Sequence, residues 1–134
     1  MTTPVPGELQ LLGLSCLLVV AQIVLVAQLG NLQYGLRYAA GARDATVDPP
    51  NFLLGRCRRA LANLLETYPI FAAAVLAVGL AHRFDTLSLV GAHIYLWSRI
   101  AYLGLYVAGV PLLRSLAWNL ALVGVAMILW RLVG

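Results

Sequence analysis

Apolar residues along this chain fall into four long runs separated by short polar breaks. The first extends from Leu9 to Leu36 without a charge, between Glu8 and Arg37. At about 1.5 Å per residue such a run crosses a ~30 Å hydrocarbon layer with length left for tilt. Its amides, Gln22, Gln28, Asn31 and Gln33, gather toward the Arg37 end, which predicts that this end approaches a polar site. Interhelical hydrogen bonding is the ordinary use of such groups in a membrane. Ala39 to Phe52 reads as a loop with Gly41, Asp44, Asp48 and the pair Pro49-Pro50, which cannot continue a helix. The second run begins near Phe52 or Leu53 and reaches about Ala81, with a bend predicted at Pro69. Ala73, Ala77 and Ala81 recur every fourth residue, a small-residue face that lets membrane helices approach closely. After the tight turn His82-Arg83-Phe84-Asp85 the third run covers Thr86 to Val107. Gly109-Val110-Pro111 then breaks the chain, and Arg114-Ser115 opens the fourth, with Ser115 as a candidate N-cap. Trp118 and Trp130 sit near its opposite ends, as an aromatic belt would place them. The expected fold is all-α: an integral membrane antiparallel four-helix bundle, one domain over residues 1–134. Its helices are expected at about 9–37, 53–81, 86–107 and 114–132.

Composition agrees with the pattern. With 62% hydrophobic and 10% charged residues, and a mean hydropathy of +0.89, 134 residues cannot bury their apolar surface as a soluble domain. All nine basic residues are arginine, which stays charged in any surroundings and presents a planar fork to carboxylates. They cluster at segment ends, and there is no basic-aromatic surface of the kind nucleic acid requires. Arg37, Arg43, Arg56, Arg58, Arg59 and Arg114 fall on one side and Arg83 and Arg131 on the other. The positive-inside rule then places the termini outside and the arginine-rich loops in the cytoplasm. The N-terminal residues lack a basic n-region and the run after them is too long for a signal peptide, so it is expected to remain as a span. Lysine-free, Arg- and Ala-rich composition suggests a high-GC bacterium, hence an inner membrane. Cys16 and Cys57 lie in unlike surroundings, and no disulfide is expected. Cys57, between two arginines, could be a reactive thiol but reads more simply as an incidental helix residue.

Chemistry concentrates on two stripes. Arg56, Arg59, Asn63 and Glu66 follow at i, i+3, i+7 and i+10, one helix face. Ionisable groups at membrane depth are costly and usually have a task. Tyr95, Arg99, Tyr102 and Tyr106 form a second face at i, i+4, i+7 and i+11. For Tyr95, Arg99 and His93 taken singly, helix packing is the simpler reading. Arg37, Arg59, Asn63, Glu66, Tyr102, Tyr106, Arg114 and Ser115 are expected to converge at the cytoplasmic half. Arginine forks bind carboxylates, Glu66 can receive an ammonium, and an arginine beside a thiol favours the thiolate. Glutathione, with two carboxylates, an amine and a thiol, matches this set. The competing assignment has Glu66 neutralising Arg59 or Arg99.

At these residues the sequence resembles the MAPEG family, the membrane-associated proteins of eicosanoid and glutathione metabolism. The family signature Arg-x-x-x-Asn-x-x-Glu-x-x-Pro reads here Arg59-Ala-Leu-Ala-Asn63-Leu-Leu-Glu66-Thr-Tyr-Pro69, and the similarity extends through Arg99-Ile-Ala-Tyr102-Leu-Gly-Leu-Tyr106 to Arg114-Ser115. The resemblance implies a homotrimer with glutathione bound between neighbouring subunits near the cytoplasmic face. It also implies that Arg59, Asn63, Glu66, Tyr102 and Tyr106 contact glutathione. Arg37 resembles the arginine that an adjacent subunit contributes. Arg114 resembles the arginine proposed to stabilise the thiolate, with Ser115 beside it as in microsomal prostaglandin E synthase. Leu61 and Thr67 depart from polar or aromatic positions of some relatives, and Arg114 lies farther beyond Tyr102 than its counterparts. The activity implied is glutathione transfer to lipophilic electrophiles, with peroxide reduction as a companion. The alternative is the family's non-catalytic lipid-binding scaffold, whose glutathione residues are degraded where these are intact. A small multidrug exporter needs a carboxylate in its first span, and this one has none.

Overall fold

A computed structural model describes residues 4–134. Among them are five helices and no strand: α1 (Gly7–Tyr34), α2 (Leu36–Ala40), α3 (Phe52–Leu80), α4 (Thr86–Ala108) and α5 (Pro111–Val133). The first apolar run does not reach Arg37 as one helix. Gly35 adopts φ 81°, ψ 155°, a conformation open to glycine, and Leu36–Ala40 restarts as a separate turn of helix carrying Arg37. Asn51 caps α3 by accepting a hydrogen bond from Leu54 N at 2.9 Å. That helix runs unbroken through Pro69. Asp85 and Ser88 form a reciprocal capping box at the start of α4.

The start of α5 corrects a second expectation. The helix begins at Pro111, with Val110 as N-cap residue, rather than at Arg114-Ser115. Proline's fixed φ and missing N–H suit the first helical position, so the residue read as a breaker opens the helix. Ser115 lies one turn inside and donates to Pro111 O at 3.1 Å.

α1, α3 and α5 are long and apolar enough to cross a membrane. α4 has the same 23 residues as α5 but is not among the three, where four crossing helices were expected. Its polar side chains explain the difference, because Ser88, Tyr95, Ser98, Arg99 and Tyr102 are buried inside the protein. α4 packs most extensively on α5, α3 touches every long helix, and α1 and α5 do not meet. At the α4–α5 crossing a Cβ on Gly124 would stand 2.5 Å from Gly91 O, so only glycines allow this approach. The main core lies toward that end: Phe71, Val75, Val78, Ala92, Tyr95, Ala121 and Ile128 are buried together.

Candidate functional site

The arginine end of the bundle is built by α3. Arg56 donates to Val107 O at 2.6 Å and its guanidinium lies 3.5 Å from the centroid of the Phe52 ring. It thereby satisfies a carbonyl at the C-terminus of α4, the end of a helix that attracts cations. Gly109, at φ 78°, fits beneath that guanidinium. Arg56 is thus committed to structure. One turn on, Arg59 is exposed and its Nε donates to Tyr106 Oη at 3.1 Å.

Asn63, Tyr102, Tyr106, Arg114, Ser115 and Trp118 line one cleft of about 230 Å³. The Tyr102 and Tyr106 rings are tilted together, with centroids 5.6 Å apart, and the Arg114 guanidinium sits 4.6 Å over the Tyr106 ring. The cleft therefore carries one cation on an aromatic floor, two phenols, a hydroxyl and an amide, beside an indole. Such a surface receives an anionic or amphipathic molecule.

Of the residues singled out in the sequence, Asn63, Tyr102, Tyr106, Arg114 and Ser115 share this cleft, and Arg59 reaches its rim through Tyr106. Arg37 and Glu66 do not line it and are exposed. Glu66 forms no salt bridge with Arg59 or Arg99 among the described residues. The ion pair found among the described residues is Arg131–Asp85 at 2.8 Å, far down the bundle. Since α5 starts at Pro111, Arg114 falls in its first turn rather than at the cap, and Ser115 caps nothing. Their place in the cleft comes from helical register. Both cysteines are free thiols, and Cys57 is 2% exposed, out of a reagent's reach.

Two participants escaped the sequence reading. Trp118 faces the cleft instead of serving only a belt. Arg99 is 1% exposed, and it donates to Asn63 Oδ1 at 2.8 Å and to the Thr67 hydroxyl. Its guanidinium lies 5.6 and 5.4 Å from the ring centroids of Tyr95 and Tyr102. Thr67 in turn donates to Leu64 O at 3.2 Å.

The model of the MAPEG family matches residues 11–134, nearly the whole chain. The chain belongs to the MAPEG family. No curated protein and no solved structure matches it. The signature of this MAPEG protein lies wholly on α3, and the structure divides it by direction. Asn63 turns inward to the cleft and Arg99, Arg59 reaches the rim through Tyr106, and Glu66 is exposed. Spacing alone put all three on one stripe; the α3–α4 packing splits the stripe between an inner and an outer edge.

Proposed function

We infer that this MAPEG protein is a membrane-bound glutathione transferase that brings the tripeptide's thiolate to lipophilic electrophiles, a detoxification chemistry. The observation that carries the reading is the single cleft holding Asn63, Tyr102, Tyr106, Arg114 and Ser115. Its groups fit the co-substrate: Arg59 at the rim for a carboxylate, amide and phenol donors for peptide carbonyls, and Arg114 for sulfur. Arg114, held over Tyr106, is the group that stabilises the thiolate, with the Ser115 hydroxyl beside it. The sulfur bonds to an electrophilic carbon, and the group displaced there leaves with its electron pair. The lipophilic partner arrives from the bilayer, past the half-buried Trp118.

The cleft is smaller than the ~300–1,000 Å³ of most ligand sites, and Arg59 and Glu66 are exposed on α3. Exposed ionisable groups at membrane depth are costly. A homotrimer resolves both points, neighbouring copies closing the cleft and adding Arg37, with α4 crossing the bilayer beside the other long helices. The end rich in arginine is assigned to the cytoplasm by the positive-inside rule, which for a bacterial chain means the inner membrane.

The test is conjugation of a chlorinated nitroaromatic with glutathione by detergent-purified protein, followed as the aryl thioether forms and chloride leaves. Saturable, glutathione-dependent turnover is expected. Lipid binding without turnover would make the protein the scaffold type instead.

A further inference from the structure

A buried arginine with no direct ion pair among the described residues is the least expected feature of this fold. Arg99 is 1% exposed, its polar partners are an amide and a hydroxyl, and its Nε makes no hydrogen bond among the described residues. A guanidinium can only donate. The atom of Asn63 facing Arg99 must therefore be the carbonyl oxygen, and chemistry fixes which way the amide points. Its NH₂ diverges from Arg99, finds no partner among the described residues, and belongs to a half-buried side chain that lines the cleft.

We propose that Arg99 is the positioning residue that sets the hydrogen-bond polarity of the cleft. By holding Asn63 Oδ1, it turns the amide NH₂ toward the bound molecule, so at Asn63 the wall offers a donor. The wall then selects a carboxylate or a peptide carbonyl and rejects a ligand donor such as an ammonium. The charge of Arg99, which no direct ion pair answers among the described residues, lies one side chain behind Asn63 and Tyr102 and reinforces that selection. The ammonium of the tripeptide is consequently directed away from this wall, toward the exposed Glu66. The proposal rests on the glutathione reading above.

The test uses the isosteric substitution Asn63→Asp. It keeps an oxygen facing Arg99 and gives that cation an anion, so the variant folds and melts no lower than wild type. The group facing the ligand, however, changes from donor to acceptor. Glutathione affinity, measured by calorimetry in detergent, is expected to fall about 10–100-fold, and further than for Asn63→Ala. Arg99→Lys keeps the charge but cannot span both Asn63 and Thr67 as a fork does. Its glutathione Kd is expected to rise several-fold while the turnover of the bound complex stays near wild type. A wild type that takes up no glutathione overturns the transferase reading. A wild type that binds, with Asn63→Asp binding equally well, overturns the polarity of Asn63. An Arg99→Lys variant that melts lower yet keeps the wild-type Kd overturns the role of Arg99.

Discussion

α3 and α4 meet in two regions of opposite character. Toward the Asp85 end, the Phe71 and Tyr95 rings stack at 3.9 Å with planes 7° apart, beside the Gly91–Gly124 contact that admits no side chain. Toward the Arg59 end, the facing residues are Asn63, Tyr102 and Tyr106, and they stand around an open cleft. Arg99 and Thr67 lie at the border, and the Thr67 hydroxyl reaches Tyr95 Oη at 3.4 Å. The first region supplies cohesion by close packing. The second leaves polar groups open to a ligand, and such polar openness is made possible by the rigidity next to it. Stability and binding are therefore separable by depth along the same helix pair.

Substitutions can break that separation or sharpen it. The largest loss of stability is expected for Phe71→Ala, which empties the stack and should cost about 3–5 kcal/mol in detergent unfolding; glutathione affinity of the folded fraction should remain. Arg114→Ala should act the other way. Its melting temperature should hold, while conjugation slows by about 10²-fold or more and the ultraviolet thiolate absorbance of bound glutathione disappears. Full activity in that variant would move the sulfur-binding role to another residue. Gly124→Ala forces a methyl group against Gly91 O and should cost about 1–3 kcal/mol in the same unfolding experiment. A smaller effect is expected for Glu66→Gln: glutathione binding weakened about tenfold, or ~1.4 kcal/mol, with an unchanged melting temperature because the exposed carboxylate holds nothing inside the subunit. Early melting with normal binding would return Glu66 to a structural role.

Much of this was legible in the pattern of residues. Long apolar runs bounded by charges locate the helices, since burying or lipid-facing side chains for many turns leaves few other conformations. The breaks were harder. Gly35 reads as one more small residue in a run until its backbone takes φ 81°, and Pro111 reads as a stop although proline also serves as a start. In the site, spacing placed Asn63 on one stripe and Tyr102 and Tyr106 on another, but no spacing states how two helices are turned toward each other. That is why Arg99, assigned to packing, hid its grip on Asn63. The same ignorance left Glu66 open as a direct ion-pair partner, although it forms no salt bridge with either arginine among the described residues. Trp118 was ambiguous for another reason: a tryptophan near a helix end serves a membrane interface and a ligand wall with the same amphipathic ring.

The glycine contact between α4 and α5 has a consequence for the bilayer. Gly124 and Arg114 lie on one helix, ten residues and about 15 Å apart. Sliding α5 by one residue along α4 would shift Arg114 by only about 1.5 Å but swing it by ~100°, out of the cleft. The steric stop at Gly91 forbids that slip. When a thicker or thinner membrane is met by tilting α5, its phase on α4 is left untouched. Lipids of unequal chain length are accommodated by inclination, and the arginine keeps its aim.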